Sequence, residues 1–370
     1  MNDQPSTQKQ RGLGRLAQMI RSILQNRLLL ALLAISLIPL SILGLSMYFL
    51  TSHAIMRQAT DRLTAVRTIK ANQIQSYFHS IQDQIQTFSE DRMVIHAMSD
   101  FKKGMSSIQA ENQVTEESLT EMREKVGRYY KTEFSREYAS QNAEHDSEVE
   151  SLIDKLVLPL DAEAITLQYH YIQNNPNDLG KKELLEQAAD GSAYSESHKL
   201  YHPIIRNYLQ KFGYYDIFLV DIKTCDIVYS VFKEVDYATS LRDGPYSSTN
   251  LGRAFNEAAK STWKDSVVFV DYETYPPSYE AAASFIASPI FNGDEKIGVA
   301  IFQMPIGRIN EILAERTGLG ESGETYAVGS DHLFRNESRF LEELGVDSTI
   351  INPDIRVNTQ AVISALDDNK

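Results

Sequence analysis

One long uncharged run near the N-terminus dominates the pattern of apolar and polar positions. Residues 28–50 read LLLALLAISLIPLSILGLSMYFL, twenty-three residues without a charge. As a helix this run is roughly 34 Å long, enough to cross a hydrocarbon core of about 30 Å, and Pro39 and Gly44 are tolerated inside it. The alternative is a cleaved signal peptide, whose apolar region is about 7–15 residues long. The length of the run favours a retained membrane anchor.

A helical apolar pattern continues over residues 55–96. Apolar side chains recur there at spacings of four and three residues, the heptad pattern of a helix that packs along a narrow line. We call this set the seam, and it comprises Ile74, Phe78, Ile81, Ile85 and Phe88. In one interpretation the seam joins a parallel homodimer in addition to packing on a domain; in the other it packs only on a domain of its own chain. We predict the parallel homodimer.

More polar helices are predicted next. Residues 100–150 are rich in Glu, Lys, Gln and Ser, which is typical of surface helices with a weakly apolar face. A further helix is predicted over residues 198–212, where His198 and His202 are four residues apart and share a helix face. Two histidines at this spacing can grip a metal ion, but no third ligand is evident and a structural role is favoured. We expect no metal and no cofactor.

The apolar period changes from helical to two after Gly213. Residues 214–221 (YYDIFLVD) and 227–232 (IVYSVF) flank a polar turn at residues 222–226 and predict a hairpin. Residues 267–270, 284–290 and 297–304 predict three more strands, and the Asn292-Gly293-Asp294 turn closes the last hairpin. Five short strands with helices against them predict an antiparallel sheet and the α+β class.

The chain after the sheet begins a second unit. Pro305 opens a predicted helix with apolar positions from Ile306 to Leu313, which ends at Gly318. Residues 318–323 (GLGESG) match G-x-G-x-x-G, but a dinucleotide site needs a strand before the glycines and a helix after them. Here a helix precedes and a strand is predicted at residues 325–328, so nucleotide binding is rejected. A last helix is predicted at residues 359–366. This unit cannot bury a complete core, so we expect the sequence to be truncated before a returning membrane helix and cytoplasmic parts.

Charge sets the orientation of the membrane run. Five basic residues and one acid precede it, which puts the N-terminus in the cytoplasm and the residues after the run outside it. For a protein of the bacterial inner membrane, outside means the periplasm or the extracellular space. The residues after position 50 comprise 31 basic and 49 acidic side chains, a net charge of −18 that argues against nucleic acid as a partner. Cys225 is the only cysteine, so no internal disulfide can form.

Several stretches together resemble a known family. They are residues 212–221 (FGYYDIFLVD), 227–234 (IVYSVFKE), 244–246 (GPY), 283–290 (ASFIASPI) and 323–326 (GETY). They resemble the double Cache sensor domains of bacterial transmembrane receptors. Residues 61–67 (DRLTAVR) and 74–78 (IQSYF) resemble the juxtamembrane helix of methyl-accepting chemotaxis proteins. The resemblance covers about residues 28–370.

The resemblance implies an architecture for the whole chain. Its segments are 1–27, a cytoplasmic basic segment; 28–50, the transmembrane helix; 51–212, a helical region with the long dimerisation helix; 213–305, a distal PAS-like ligand-binding domain; 306–322, a connecting helix and turn; and 323–370, the start of a membrane-proximal PAS-like domain. Amino-acid-sensing members carry an arginine followed closely by Trp-Tyr after the second strand. Residues 241–246 (LRDGPY) lack that aromatic pair.

A ligand site is expected where the long connection after the second strand covers the sheet. Residues 233–264, which we call the connecting segment, are the only stretch able to cover it. The candidate ligand-binding residues on this segment and at its rim are Tyr237, Arg242, Tyr246, Asn250, Asp271, Tyr272 and Tyr275. Arg242 can grip a carboxylate, Asp271 can bind an amine, and the tyrosines can stack on a ligand. For each residue alone, packing or ion pairing within the protein is the competing role.

The predicted function is ligand sensing outside the cytoplasm by a receptor, foremost a methyl-accepting chemotaxis protein. Its expected partners are a small molecule of unknown class, the lipid bilayer, a second copy and cytoplasmic signalling proteins. The alternative is the sensor of a membrane-bound cyclase, histidine kinase or phosphatase whose catalytic domain is missing. An exported enzyme is disfavoured because H-E-x-x-H, G-x-S-x-G and a credible cysteine nucleophile are absent from the sequence.

Overall fold

The computed structural model of the chain describes residues 6–142 and 149–367. Residues 1–5 of the predicted basic segment, 143–148 of the predicted helical region and 368–370 of the last predicted segment lie outside the described residues. Contacts divide the chain into two compact units, residues 1–69 and residues 70–370.

The predicted membrane run lies inside helix α1 (Ser6–Glu90). Within the described residues, α1 is the one helix long and apolar enough to cross a membrane, judged by length and composition. Every side chain of residues 28–50 is exposed, as an environment of lipid requires. The helix predicted for this run is therefore confirmed.

The long helix after the membrane run is shorter than predicted. A single helix was expected to continue to residue 96, but α1 ends at Glu90 and α2 (Arg92–Glu111) follows. Asp91 causes the interruption, because its backbone is extended and its Oδ1 accepts a hydrogen bond of 2.7 Å from the N–H of Met93. An aspartate in this conformation caps a new helix.

Within the described residues, five further α-helices precede the sheet. They are α3 (Glu116–Tyr129), α4 (Ser135–Gln141), α5 (Val149–Val157), α6 (Ala162–Gln168) and α7 (Ala193–Phe212). Helix α7 begins before the predicted residue 198, because the Ser192 hydroxyl accepts the N–H of Ser195 and caps it. It ends at Gly213, whose φ of +75° suits glycine. Helix α2 is more deeply buried than predicted, because the side chains of Phe101 and Ile108 are fully buried.

The predicted five-stranded antiparallel sheet is confirmed. Its strands are β1 (Asp216–Asp221), β2 (Ile227–Ser230), β3 (Val268–Thr274), β4 (Ala282–Asn292) and β5 (Glu295–Gln303), in the spatial order β2-β1-β5-β4-β3. Gly293 and Asp294 form the tight turn between β4 and β5, as predicted. Cys225 occupies the β1–β2 turn with a φ of +67°. The fold class is α+β.

The register of the strands separates the sheet into two faces. Asp216 pairs with Gln303, which pairs with Phe285, so these side chains share one face. The connecting segment covers this face through its helix α8 (Asn250–Lys260), together with the turn that follows β3. Ile217 pairs with Phe302 on the opposite face, which α2, α7 and the end of α1 cover.

The seam packs on the sheet of its own chain. Ile81, Ile85 and Phe88 are 2%, 0% and 3% exposed. The ring of Phe88 lies 5.1 Å from that of Phe302, between ring centroids. Both interpretations of the sequence include this packing, so the homodimer stays a prediction. A homodimer therefore cannot use these three side chains, because the sheet already buries them.

Helix α9 (Ile306–Ala314) follows β5 directly and is tied to α1. The Nζ of Lys70, a buried residue of α1, donates hydrogen bonds to the carbonyl oxygens of Ile312 (2.9 Å), Leu313 (2.9 Å) and Glu315 (2.6 Å). We call these three bonds the Lys70 clamp. They satisfy carbonyl groups that the end of a helix leaves unpaired. Helix α9 accordingly ends at Ala314 and not at the predicted Gly318.

The C-terminal region has less regular structure than predicted. The strand predicted at residues 325–328 is wrong, since only Val328 forms a bridge there, with Phe334. A strand needs a continuous partner, and the described residues after 303 make isolated bridges only. Two short helices follow, α10 (Leu341–Leu344) and α11 (Gln360–Asp367), and α11 confirms the last predicted helix within one residue at each end.

Candidate ligand-binding site

The connecting segment lies on the sheet as an inner cover. Thr249 caps α8 through its hydroxyl, and α8 lies against β3, β4 and β5. The side-chain amide of Asn250 donates to the carbonyl oxygen of Ala283 in β4 at 2.6 Å. The first residue of α8 is thereby fixed to the sheet.

A group of buried polar side chains lies between the segment and the sheet. We call it the polar layer, and it comprises Asp216, Ser230, Asp236, Tyr246, Asn250, Tyr275 and Gln303. The Tyr275 hydroxyl donates to Oδ2 of Asp236 at 2.6 Å, and its ring centroid lies 6.1 Å from that of Tyr246. Asp216 starts β1, and its Oδ1 accepts the N–H of Val231 at 2.8 Å. All seven residues are at most 3% exposed.

Five of these residues have a buried polar atom without a hydrogen-bond partner within the described residues. The atoms are Ser230 Oγ, Asp236 Oδ1, Tyr246 Oη, Asn250 Oδ1 and Gln303 Oε1. Three of the five are carboxylate or amide oxygens, which can only accept hydrogen bonds unless the carboxyl is protonated. A buried polar atom left unpaired costs about 1–3 kcal/mol, so several at one place require a water or a ligand to satisfy them.

Burial also disfavours the charged forms of the ionisable groups in and beside this layer. It raises the pKa of the Asp216 carboxyl, and the nearby charge of Asp236 raises it further. Burial likewise raises the pKa of Asp236, against the hydrogen bond from Tyr275. Burial lowers the pKa of Lys233, while the Asp216 carboxylate opposes that effect. A bound hydrogen-bond donor would relieve the penalty on the two carboxyls.

Lys233 uses its charge within the protein. Its Nζ donates to the carbonyl oxygen of Ser230 and lies 4.3 Å from the ring centroid of Tyr229, and its φ is +58°. It forms no ion pair with a carboxylate of the described residues. The polar layer therefore has two carboxyls, and Lys233 beside it acts on Asp216 without pairing with it.

The predicted site residues divide into two groups. Tyr246, Asn250 and Tyr275 belong to the polar layer. Tyr237 is buried but donates to the Tyr194 hydroxyl at 2.7 Å, on the side of α7. Tyr272 packs with Ile309 and Leu313 of α9.

The two predicted charged residues lie at the surface with partners of their own. Arg242 donates from Nη2 to the Lys223 carbonyl oxygen at 2.9 Å, in the β1–β2 turn. Asp271 accepts from Nε of Arg335 at 3.0 and 3.1 Å. Neither lies in the polar layer, so the structure does not bring them together with Tyr246 and Tyr275.

Sequence reasoning missed Asp216, Ser230, Asp236 and Gln303. Asp216 carried a usable signal, because an acid within the apolar strand run YYDIFLVD has to be buried or start the strand. Asp236 and Gln303 carried none, since an acid in a loop and a glutamine at a strand end are ordinary surface residues in sequence.

Comparison with known proteins gives distant matches only. No protein-family model and no curated protein matches the chain. The sensory domain of the Campylobacter jejuni chemoreceptor Tlp3 (CcmL), with isoleucine bound, is 13% identical, with 70% of this chain and 84% of that chain covered and a TM-score of 0.33. The ligand-binding domain of Mlp24 with asparagine is 13% identical, with 65% and 79% covered and a TM-score of 0.26.

The sensor domain of the V. cholerae histidine kinase DctB is also similar, at 15% identity and a TM-score of 0.26. The match covers 50% of this chain and 60% of the DctB domain, so the chain spans less than two thirds of that domain. All three are sensor or ligand-binding domains, the class that the resemblance in the sequence indicated. At these identities and TM-scores the matches transfer neither a ligand nor an output to this chain.

Proposed function

We propose that the chain is the ligand-sensing region of a transmembrane receptor and that its ligand binds at the polar layer. One observation carries the proposal: buried oxygen atoms that have no hydrogen-bond partner within the described residues lie beneath a long segment that covers a sheet. The first helix of the same chain is long and apolar enough to span a membrane. The receptor is a bacterial inner-membrane protein with a cytoplasmic N-terminus and an external sensor. Its output is chemotactic signalling through cytoplasmic partners.

The polar layer favours a small ligand that donates hydrogen bonds. Such a ligand would pair with the free oxygens of Asp236, Asn250 and Gln303. Its charge would be neutral or positive, because two carboxyls and no free cation line the layer. Tyr246 and Tyr275 would pack against its apolar part.

A ligand can act as a signal only if it binds one conformation better than another. Gln303, in the polar layer, is the last residue of β5, and α9 begins three residues later. The Lys70 clamp holds the C-terminal end of α9 to α1. A shift of β5 on ligand binding would therefore be passed to α1 through α9. Small helix shifts of this kind are an established switching mode.

The homodimer uses α1 outside the seam. Within residues 51–69, the large exposed apolar side chains are Ile55, Met56, Leu63 and Ile69. A parallel copy of α1 would cover them, as a pair of helices that share apolar positions does.

The experiment is a thermal-shift screen of the full chain in lipid nanodiscs, with amino acids, organic acids, amines and purines as probes. A ligand at a hundred times its Kd stabilises the folded state by about 2.7 kcal/mol, which is readily measured. We expect a hit whose shift is lost in Asp236→Asn and kept in Asp265→Asn, an exposed aspartate outside the layer. A hit with the same shift in both variants, or no hit in any class, would contradict the proposal.

A further inference from the structure

A small cavity lies outside the polar layer. Its volume is about 140 Å³, and it is bounded by the end of α3, the start of the connecting segment and the turn between β3 and β4. None of the seven polar-layer residues lines it. We call it the aromatic cavity, because five rings line it: Tyr129, Phe134, Tyr215, Phe232 and Tyr279.

Four of the five rings form two stacked pairs. The centroids of Phe134 and Tyr279 are 5.5 Å apart with an angle of 28° between the rings. Those of Tyr215 and Phe232 are 5.9 Å apart with an angle of 24°. Aromatic rings present negative potential on their faces, and several rings around one small space bind a cation there.

One carboxylate completes the lining. Glu234 accepts the Tyr215 hydroxyl at its Oε1, at 3.3 Å, while its Oε2 is buried without a partner within the described residues. No lysine, arginine or histidine in the described part of the chain forms an ion pair with it. Burial and the neighbouring carboxyls of Asp236 and Asp216 raise the pKa of Glu234. Glu234 thus has no ion-pair partner within the described residues.

Two lysines, Lys182 and Lys233, also line the cavity, and both are engaged elsewhere. Nζ of Lys182 donates to the carbonyl oxygens of Asn175 at 3.0 Å and Asn177 at 2.6 Å, and it lies 5.6 Å from the ring centroid of Tyr129. Lys233 lies over Tyr229, as described above. No ammonium or guanidinium group of the described residues lies over the remaining four rings of the cavity.

We propose that the aromatic cavity binds a small organic ammonium ion, with its alkyl groups against the five rings and its charge opposite Glu234. A water molecule takes about 30 Å³ in the liquid, so 140 Å³ holds about five non-hydrogen atoms. Tetramethylammonium has that size. A bare metal ion is a poorer fit, because the lining offers it one carboxylate where hard cations take six or more oxygens.

The test is calorimetric titration of the full chain in lipid nanodiscs with tetramethylammonium chloride. Sodium chloride at equal ionic strength is the salt control, and tert-butanol is a neutral molecule of the same number of heavy atoms. We expect saturable binding of tetramethylammonium and no saturable binding of sodium chloride or tert-butanol. We expect Glu234→Gln and Phe232→Leu each to weaken it at least tenfold. The matched controls are Glu273→Gln, an exposed glutamate paired with Arg253, and Phe269→Leu, a ring outside the cavity, and both should bind as the unmodified chain does.

Thermal unfolding of each variant shows whether a loss of binding comes from loss of the fold. Heat no larger than that from sodium chloride would overturn the proposal, and so would equal binding of tert-butanol. Both comparisons use the unmodified chain, so they remain valid even if a variant fails to fold. Unchanged affinity in Glu234→Gln and Phe232→Leu would also overturn it. Asp236→Asn should leave tetramethylammonium binding intact, which separates this site from the polar layer.

Discussion

The contact between α2 and α7 gives the sharpest prediction of stability. Gly104 of α2 faces the start of α7, where an added Cβ would lie 2.7 Å from Cα and 2.9 Å from N of Tyr194. Both atoms belong to the backbone, so no side chain can swing away to make room. Gly127 of α3 is the matched control, because its nearest neighbour would be Cγ1 of Val157 at 3.9 Å, an ordinary contact.

The magnitude follows from two opposing effects. Replacing glycine by alanine inside a helix favours folding by about 0.8–1.0 kcal/mol. Carbon atoms pack best at about 3.5–4.0 Å, so at residue 104 the two backbones must separate by roughly 1 Å, and overpacking of this kind costs about 1–3 kcal/mol. We expect Gly104→Ala to lower the free energy of unfolding by up to about 2 kcal/mol and Gly127→Ala to raise it by up to about 1 kcal/mol.

The assay is thermal unfolding of the full chain in nanodiscs, followed by far-ultraviolet circular dichroism. One kcal/mol corresponds to about 2–4 °C in Tm for a domain of 150–250 residues, so the two variants should differ from the unmodified chain in opposite directions. A Gly104→Ala variant as stable as Gly127→Ala would refute the close approach of α2 to α7. A loss of stability in both variants would refute the helix-propensity part of the reasoning.

Three further predictions concern α1, α7 and the dimer. Lys70→Met removes three hydrogen bonds from a buried ammonium, each worth about 1.5–3 kcal/mol before the cost of burying the charge. We expect this variant to lower the free energy of unfolding by about 1–3 kcal/mol, and an unchanged free energy of unfolding in a urea titration would contradict the prediction. Burial and the Lys233 charge lower the pKa of His202 to about 2, so the folded state holds a neutral imidazole while the unfolded chain protonates below pH 6.5. Stability is therefore lost as pH falls below about 6.5. Between pH 7.5 and pH 5, the free energy of unfolding of a His202→Asn variant should fall by about 2 kcal/mol less than that of the unmodified chain. Cysteine at Leu63 should cross-link two copies in membranes, whereas cysteine at the buried Ile85 should not, and the reverse result would place the dimer at the seam.

The sheet could be predicted from sequence because its signals are local. Alternation over residues 214–232 and the tight turn at Gly293 fix the hairpins, and the hairpins fix the antiparallel pairing. The end of α1 could not be fixed, because an apolar heptad continues through Asp91, and the capping bond that breaks the helix depends on a single carboxylate. The seam was ambiguous for a related reason, since a repeat of apolar residues does not show which surface covers it.

The candidate site was only partly predictable. Tyr246, Asn250 and Tyr275 were found because the covering segment and its rim are visible in sequence. Arg242 and Asp271 have the right chemistry for a ligand, but their positions depend on partners far along the chain, such as Arg335 for Asp271. The polar layer also needs Gln303, which joins it only through the register of β5 against β1.

The two outer strands of the sheet have a consequence for behaviour in a crowded membrane. Ile227, the first residue of β2, donates its N–H to the Thr239 carbonyl oxygen of the connecting segment, and β3 is broken by a bulge between Val270 and Glu273. A straight, unpaired border is what lets one sheet recruit another into an aggregate. Because neither edge strand is both straight and unpaired, neighbouring copies cannot readily pair their sheets edge to edge. Any association between copies would therefore use the helices.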